Sequence, residues 1–253
     1  MNKPLAIDLY CGLGGWTEGL LAEGYEVIGF DIEQHVYGEH RYPAQLVVQD
    51  VRTLHGSQFK DAALIVASPP CQAYSYRAMP WKRAKALPPP CNELFDACFR
   101  IQREACAAAG RHIPLIVENV RGAQPWVGRA RWNFGSFYLW GDVPALMPMT
   151  LKTAKMSGHS MSLGAPKWNM HHSECQIKLP GFRFDGSGRS FQSASVDGMK
   201  QGGTWWHDEG SISRTTASKS PARKMASAMI AKIPLPLSRH IGKTFYPEMM
   251  AAA

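Results

Sequence analysis

Two short apolar runs, each followed directly by reactive side chains, constrain the fold of this chain most strongly. Residues 64–67 (Leu-Ile-Val-Ala) precede Ser68-Pro-Pro-Cys-Gln72, and residues 115–117 (Leu-Ile-Val) precede Glu118-Asn-Val120. Short β-branched runs bounded by Pro or Gly are typical of buried parallel strands. In open α/β sheets, reactive groups collect beyond the carboxyl ends of the strands. We therefore expect the cysteine thiol and the glutamate carboxyl to face one substrate.

The first 145 residues alternate predicted strands and helices. Strands are predicted over Leu5–Tyr10, Tyr25–Phe30, Leu46–Val48, Ala63–Ala67 and Ile113–Val117. Helices are predicted over Trp16–Glu23 and Asn92–Ala109. This βαβ succession predicts an α/β fold with a doubly wound, mostly parallel sheet.

The chain changes character after about residue 148. Gly, Ser, Met and Lys dominate residues 150–220, where periodicity is weak, and a helical pattern resumes over Pro221–Ile233 with proline in its first turn. We expect a first domain over 1–148, a small irregular basic region over 149–220, and a C-terminal helix within 221–253 that returns to the first domain.

Charge is distributed unevenly between the two parts of the chain. Residues 1–150 contain 14 Lys/Arg and 14 Asp/Glu, so the 14 Lys/Arg and 6 Asp/Glu of residues 151–253 carry the whole net charge of +8. Such asymmetry, with a pI near 9.2, favours a polyanion partner such as nucleic acid. A merely soluble basic surface explains the composition equally well.

Other features exclude several classes of protein. No stretch approaches the roughly 20 apolar residues that span a bilayer, and the first five residues lack a signal-peptide pattern. We therefore expect a cytoplasmic monomer that does not associate with membranes. The six cysteines form no CxxC pair and are expected to be free thiols. His171-His-Ser-Glu-Cys175 has poor metal-ligand spacing, so we expect a surface loop and no metal.

A long basic loop, Ala73–Pro90, follows the first reactive segment. It contains no acidic residue and interleaves cations with aromatic rings: Arg77, Lys82, Arg83 and Lys85 with Tyr74, Tyr76 and Trp81. Loops of this length inside a compact domain are usually functional or disordered. Cations interleaved with aromatics beside a cysteine favour contact with phosphates and bases.

Acidic residues close three successive strands and suggest a cofactor. The glycine-rich turn after the first strand lies within Asp8-Leu-Tyr-Cys-Gly-Leu-Gly-Gly15 and can approach a ligand closely. Asp31 and Glu33 close the second strand, where an acid can bond ribose hydroxyls, and Asp50 closes the third, where it could receive an adenine amino group. A solvated strand end explains each acid singly, but the three together predict an adenosine-containing cofactor.

Cys71 and Glu118 have the chemistry of a catalytic pair. Cys71 follows two prolines and would be a nucleophile if its pKa were lowered. A buried, inert role suits three other cysteines better: Cys91, Cys98 and Cys106, which we place on the helix. Glu118 follows apolar residues, which predicts desolvation and a raised pKa suited to protonating a ring nitrogen. An ion pair with Arg121 is the alternative for this carboxyl.

Three motifs of the chain resemble those of the cytosine-C5 DNA methyltransferases, with the closest likeness to compact, phage-type members. They are Asp8-Leu-Tyr-Cys-Gly-Leu-Gly-Gly15, Pro69-Pro-Cys-Gln72 and Glu118-Asn-Val120. The likeness covers residues 5 to about 122. It implies the Rossmann-like fold of methyltransferases that use S-adenosylmethionine, and double-stranded DNA as the partner.

The resemblance also implies a reaction. Cys71 would attack C6 of a flipped-out cytosine while Glu118 protonates N3, so that C5 accepts the methyl group of S-adenosylmethionine. Loss of the C5 proton and elimination of the cysteine would release 5-methylcytosine. The loop over 73–90 would close on the flipped base, with Trp81 filling the vacated stack.

Site residues are carried over position by position. The catalytic set is Cys71, Gln72, Glu118, Asn119, Arg129 and Arg131. The cofactor set is Asp8, Tyr10, Cys11, Gly12, Gly14, Gly15, Asp31, Ile32, Glu33, Asp50, Val51 and Pro69. The DNA-binding set is Ser75, Arg77, Trp81, Lys82, Arg83 and Lys85.

The chain departs from the family pattern at two points. It has no Gln-x-Arg-x-Arg motif after the Glu-Asn-Val strand, where Arg129-Ala-Arg131 either supplies similar cations or forms a solvated turn. It also has no clear Gly-Asn-Ser/Ala-Val motif near its end, where Ile241-Gly-Lys-Thr244 comes nearest.

Three other functions stay open. A catalytically silent DNA-binding relative, acting as a decoy or regulator, would not need Cys71 or Glu118. An amino-methyltransferase would carry an aromatic residue where this chain has the cysteine. A methylase acting on free nucleotides would not need the basic loop or the basic C-terminal third.

Overall fold

The computed structural model describes residues 3–75, 87–147, 224–225, 228–229 and 231–247. One compact unit comprises Met1–Pro148 together with Lys232–Ala253. The remaining unit, Met149–Ala231, falls almost entirely outside the described residues, as do the predicted irregular region and the histidine–cysteine cluster near residue 171. The domain boundaries expected from composition therefore stay a prediction.

The described part of the first unit contains nine strands. In chain order they are β1 (Leu5–Leu9), β2 (Glu26–Asp31), β3 (Val36–Tyr37), β4 (His40–Arg41), β5 (Gln45–Val48), β6 (Leu64–Ala67), β7 (Leu115–Asn119), β8 (Trp132–Phe134) and β9 (Phe137–Gly141). Seven of them form one sheet in the order β5-β2-β1-β6-β7-β9-β8, and β3 pairs with β4 separately.

The sheet is parallel from β5 to β7, with β9 inserted antiparallel between β7 and β8. Order reverses beside β1, because β2 lies on one side of it and β6 on the other. A ligand crevice forms where strand order reverses in a sheet of this kind. The predicted α/β class with a doubly wound, mostly parallel sheet is confirmed.

Strand β7 lies further along the chain than the sequence pattern predicts. The predicted strand, residues 113–117, stops before the glutamate, whereas Glu118 and Asn119 belong to the observed strand. Antiparallel β9 extends the ladder, since Glu118 pairs with Leu139 and Asn119 with Tyr138. Glu118 is therefore fixed by backbone hydrogen bonding rather than carried on a loop.

Within the described residues, four helices have defined bounds. They are α1 (Gly15–Ala22), α2 (Glu93–Ala109), the single turn α3 (Gln124–Val127) and α4 (Leu235–Thr244). Helix α2 buries Phe95, Cys98, Ile101 and Ala105, spaced three to four residues apart, within the main hydrophobic core. Of these, the large side chains of Phe95 and Ile101 each contribute roughly 1.5–3 kcal/mol when fully buried.

Helix α4 packs closely on α1 in the same unit. At Gly19 a Cβ atom would lie 2.0 Å from Ser238 Oγ, so only glycine permits this approach. The sequence pattern places the C-terminal helix earlier, over 221–233, where residues 224, 225, 228, 229 and 231 are helical. It misses α4, which begins after Pro234 and carries a second proline in its first turn, where proline needs no N–H partner. None of the described helices combines the length and apolar character needed to cross a bilayer.

Candidate active site

The two reactive segments meet because β6 and β7 are parallel neighbours. Ala67 pairs with Val117, so the chain leaves both strands at the same sheet edge. After β6 the chain turns sharply, and the backbone N–H groups of Tyr74 and Ser75 both donate to the Cys71 carbonyl at 2.9 and 3.0 Å. This turn brings the cysteine back towards the end of β7.

Asn119 ties the cysteine segment to β7. Its side-chain amide donates to the carbonyl of Pro69 at 3.0 Å, and its own oxygen accepts from the N–H of Val120 at 2.8 Å. Asn119 is 1% exposed, and buried amides with both groups bonded fix local geometry. The residue therefore holds the segment that carries Cys71 against the strand that carries Glu118.

Glu118 is 9% exposed and has no ion pair within the part of the chain that the structure describes. Burial raises the pKa of its carboxyl to about 8, and a hydrogen bond from Ser68 opposes the rise only in part. The expectation of a desolvated carboxyl with a raised pKa is confirmed. Near neutral pH this group carries a proton that it can donate.

Cys71 is partly buried, and its thiol is free. Burial raises the pKa of Cys71, a hydrogen bond with Ser75 lowers it, and the nearby Glu118 carboxylate raises it. The lowered pKa that a ready nucleophile would need is therefore not found, because burial and the neighbouring carboxyl outweigh the serine. Glu118 is therefore close enough to Cys71 for its negative charge to raise the pKa of the thiol.

The other cysteines divide differently from the sequence expectation. Cys98 is fully buried on α2, but Cys91 is exposed and precedes that helix, while Cys106 is partly buried. Placing Cys91 on the helix as a buried thiol is wrong, because α2 begins only after Asn92. Cys11 is buried.

A tight turn after β1 leaves open space at the centre of the cofactor region. The N–H of Gly14 donates to the Cys11 carbonyl at 2.7 Å, and the N–H of Gly12 donates to Asp31 Oδ2 at 2.9 Å. Gly12 has a φ of +52°, and a Cβ atom there would meet nothing within 4 Å. A ligand can therefore approach this backbone, while Asp31 Oδ1 accepts from the N–H of Ile32 at 2.8 Å.

Hydrogen bonds keep Asp31 charged. Burial is the strongest single influence and raises the pKa of the carboxyl, but hydrogen bonds from His35 and the Gly12 N–H outweigh it, so the pKa of Asp31 is lowered. His35 Nε2 lies 3.6 Å from Asp31 Oδ1, and the pKa of His35 is raised chiefly by this hydrogen bond. Sequence reasoning missed His35, for which the Asp-x-x-x-His spacing was the available signal.

Two neighbours of Asp31 are much more exposed. Glu33 exposes 70% of its side chain, and its Oε1 lies 3.5 Å from His35 Nδ1. Ile32 is 67% exposed, which leaves a large apolar surface beside the glycine turn. Of the two acids predicted to compete for a ribose, Asp31 lies beside the open turn and the Glu33 side chain is 70% exposed.

Asp50 is engaged by its neighbour Arg52. The guanidinium donates to both carboxylate oxygens, with Nη2 2.6 Å from Oδ2, and the N–H of Arg52 donates to Oδ1 at 2.9 Å. These hydrogen bonds lower the pKa of Asp50. Val51 is buried, and Tyr10, with a φ of +58°, donates its hydroxyl to the carbonyl of Leu94 at 2.9 Å.

Asp8 lies beneath the cofactor turn and does not reach it. It is fully buried, and Oδ2 accepts from Thr17 Oγ1 at 2.6 Å, which in turn bonds Tyr42 at 2.7 Å. Burial raises the pKa of Asp8 to about 7, and Oδ1 has no partner among the described atoms. The two remaining members of the cofactor set, Gly15 at the start of α1 and Pro69 after β6, are buried.

An arginine pocket of about 470 Å³ opens beyond β7. We define it by its lining residues: Arg121, Gln124, Arg129, Ala130, Arg131, Trp132, Asn133 and Tyr138. None of the three arginines pairs with an acid among the described residues. Because Tyr138 pairs with Asn119 across β7 and β9, the pocket adjoins the catalytic pair, and it gives Arg129 and Arg131 a common location.

The DNA-binding set is described in part. Ser75 of this set is partly buried near the cysteine, and Gln72 of the catalytic set is exposed. The cations and the tryptophan of the long loop lie outside the described residues: Arg77, Trp81, Lys82, Arg83 and Lys85. Their contribution stays a prediction.

Residues 5–124 match the family described as C-5 cytosine-specific DNA methylase. Solved structures similar to the chain include a candidate DNA modification methyltransferase encoded within an E. coli prophage, at 25% identity, covering 48% of this chain and 33% of that one with a TM-score of 0.34. Dnmt2 of S. pombe matches at 18% identity, covering 49% and 36%, with a TM-score of 0.32. EhMeth of Entamoeba histolytica matches at 18% identity, covering 50% and 41%, with a TM-score of 0.35.

The chain therefore spans between a third and two fifths of the length of these solved structures. No curated protein matches it significantly.

Proposed function

We propose that this chain methylates C5 of cytosine in double-stranded DNA, with S-adenosylmethionine as donor, since residues 5–124 match the C-5 cytosine-specific DNA methylase family. The observation that carries the proposal is the juxtaposition of Cys71 with a buried, protonated Glu118 at one sheet edge. Addition across the C5–C6 bond of a pyrimidine requires a nucleophile and a proton donor that reach the same ring.

Cys71 would add to C6 of the base. The thiolate forms a bond to C6 and pushes electrons towards C5, while Glu118 gives its proton to N3. Once C5 carried the methyl group that the cofactor would supply, loss of the C5 proton to solvent would break the C6–S bond. The N3 proton would return to Glu118, and the cysteine would leave as the aromatic ring is restored. A protonated Glu118 carries no charge and therefore does not raise the pKa of Cys71. The proton on Glu118 thus favours both its donation to N3 and formation of the Cys71 thiolate.

The residues around the glycine turn fit S-adenosylmethionine. The open space at Gly12, the charged Asp31 and the exposed face of Ile32 offer a backbone approach, an acceptor for ribose hydroxyls and an apolar surface for adenine. Each carboxylate oxygen of Asp50 already accepts two hydrogen bonds from Arg52, so an adenine amino group would bind Asp50 by replacing one of them. When bound, the cofactor supplies an electrophilic methyl group.

The arginine pocket would contact the DNA strand that carries the target. Three unpaired guanidinium groups suit phosphates, and Trp132 and Tyr138 offer rings on which a base can stack. A cytosine inside a duplex cannot reach the partly buried Cys71, so the base would be flipped out of its stack. The basic loop and the basic C-terminal third would then add further phosphate contacts.

Transfer of labelled methyl groups to duplex DNA tests the proposal. The wild-type protein is expected to label cytosine-containing DNA, Cys71→Ser to label none, and Cys91→Ser, which alters an exposed thiol, to match the wild type. DNA containing 5-fluorocytosine should trap the enzyme covalently, since the fluorine cannot leave as a proton does.

Two results would contradict the proposal. A wild-type protein that binds DNA without labelling any cytosine-containing duplex is a silent DNA-binding relative. Label on an exocyclic amino group instead of C5, distinguished by bisulfite sequencing, identifies an amino-methyltransferase.

A further inference from the structure

Trp16 and Ser68 make a hydrogen bond that joins helix α1 to the floor of the active site. The indole Nε1 of Trp16 donates to Ser68 Oγ at 3.0 Å. Trp16 is 1% exposed, so its ring cannot turn away without disrupting the core. The backbone of Ser68 is fixed as well, because its N–H donates to the carbonyl of Leu9 at 3.1 Å.

The same serine lies beside Glu118. In the parallel register Ala67 is opposite Val117, so the next position on each strand brings Ser68 next to the glutamate. The Ser68 hydroxyl is the hydrogen-bond partner of the Glu118 carboxyl. Asn119, bonded to the carbonyl of Pro69 at 3.0 Å, keeps the two segments in this register.

The chemistry of the groups fixes the direction of the Trp16–Ser68 hydrogen bond. An indole N–H can only donate, whereas a serine hydroxyl has one hydrogen and two acceptor sites. Trp16 occupies one acceptor site of Ser68, and the serine hydrogen is available to Glu118. Donation to the carboxyl is the direction that lowers the pKa of Glu118. A protonated carboxyl has one carbonyl oxygen that accepts and one O–H that donates, so a serine that donates engages the carbonyl oxygen.

We propose that Ser68, oriented by Trp16, is a positioning residue that holds the carbonyl oxygen of Glu118 and thereby keeps the acid proton on the other oxygen, turned towards the substrate. The inference rests on the proposed function, in which Glu118 protonates N3 of cytosine. It adds a Trp-Ser-Glu relay that reaches from α1 to the reacting base.

Few other groups compete for Glu118. Among the described residues, β6 and the turn after it contribute Ser68 and the Cys71 thiol, and β9 contributes the apolar Leu139 opposite. Helix α1 contributes Trp16, which acts through the serine. The titratable neighbour whose charge must be followed is therefore Cys71.

Ser68→Ala and Ser68→Thr test the relay, with single-turnover rates measured across pH. Loss of the hydroxyl should lower the rate roughly tenfold, the size expected for one hydrogen bond, and leave the KM values for DNA and cofactor unchanged. Because the serine bond lowers the pKa of Glu118, the alkaline limb of the profile should move to higher pH in Ser68→Ala. Ser68→Thr keeps the hydroxyl, so its rate and the position of its alkaline limb should match those of the wild type.

Trp16→Phe removes the N–H donor and keeps an aromatic ring. It should move the alkaline limb in the same direction by a smaller amount, and the double variant with Ser68→Ala should add nothing to the limb shift of Ser68→Ala alone. Thermal unfolding of each variant identifies any that fails to fold, and Ser68→Ala alone then decides the question.

Two results overturn the relay. The first is a Ser68→Ala enzyme whose rate and alkaline limb match those of the wild type. The second is an equal loss of rate in Ser68→Ala and Ser68→Thr, with the alkaline limb unmoved in both. Carbon-13 NMR of the Glu118 carboxyl gives the same comparison without turnover, since its pKa should rise in Ser68→Ala. An inactive wild-type protein would refute the proposed function, while this titration would still test the relay.

Discussion

Asp31 in β2 and Glu118 in β7 lie near the same edge of the sheet. The protein nevertheless keeps the first carboxyl charged and the second one protonated. Asp31 receives backbone N–H groups and the imidazole of His35, and its pKa is lowered. Glu118 receives one serine hydroxyl inside an apolar strand pair, and burial raises its pKa to about 8. One fold thus provides a charged acceptor and a neutral donor by changing only the donors around each carboxyl.

The two carboxyls also have opposite effects on the stability of the fold. A carboxyl that is held charged by donors stabilises the fold, whereas a carboxyl that burial keeps protonated destabilises it at neutral pH. Glu118 therefore lowers the stability of the fold at neutral pH. A destabilising buried carboxyl beside a reactive thiol is what a functional site is expected to show.

Glu118→Gln should have the largest effect and should act in opposite directions on activity and stability. Methyl transfer should fall by roughly 10²–10⁴-fold, the range for loss of a general acid. In the wild type, stability is highest below the unfolded pKa of 4.5 and is lost as pH rises towards the folded pKa of about 8. The amide does not ionise, so the variant should exceed the wild type by a few kcal/mol above pH 8, at about 1.4 kcal/mol per pKa unit.

Urea unfolding at pH 5, 7 and 9 measures this difference, with Glu26→Gln, at an exposed position on β2, as the matched control. The gap between Glu118→Gln and the wild type should widen with pH, and that of the control should stay flat. An equal gap at all three pH values would show that Glu118 is not protonated in the folded protein.

Asp31→Asn should weaken cofactor binding by roughly tenfold or more, because a hydrogen bond to a charged group contributes about 1.5–3 kcal/mol. Glu33→Gln changes an acid whose side chain is 70% exposed and should have a much smaller effect. Calorimetric titration with S-adenosylhomocysteine measures both variants. A larger loss at Glu33 would reverse the assignment of the ribose site.

Much of this comparison could be predicted from the sequence. The apolar runs before Cys71 and Glu118 locate two parallel strands, and the apolar neighbours of Glu118 predict its raised pKa. The direction of the Cys71 pKa could not be predicted, because it depends on packing and on a carboxyl 47 positions away in the chain.

Contacts between distant segments account for what the sequence analysis missed. The β8–β9 hairpin has a readable signal in Phe134-Gly-Ser-Phe137, a two-residue turn between aromatic strand residues. The bond between Trp16 and Ser68 has no local signal, since 52 positions separate the two residues. Which of Asp31 and Glu33 lies beside the turn likewise depends on how the chain bends after β2.

His35→Gln should have the smallest effect, with a pH dependence opposite to that of Glu118→Gln. The pKa of His35 is raised by its hydrogen bond with Asp31, so its contribution to stability is complete below the ordinary pKa of 6.5 and is lost as pH rises through the raised value. Because His35 is partly exposed, that contribution should be only about 0.5–1 kcal/mol. Urea unfolding should therefore show the variant less stable than the wild type at pH 6 and equal to it at pH 9, and a deficit that grows with pH would contradict the charged pair.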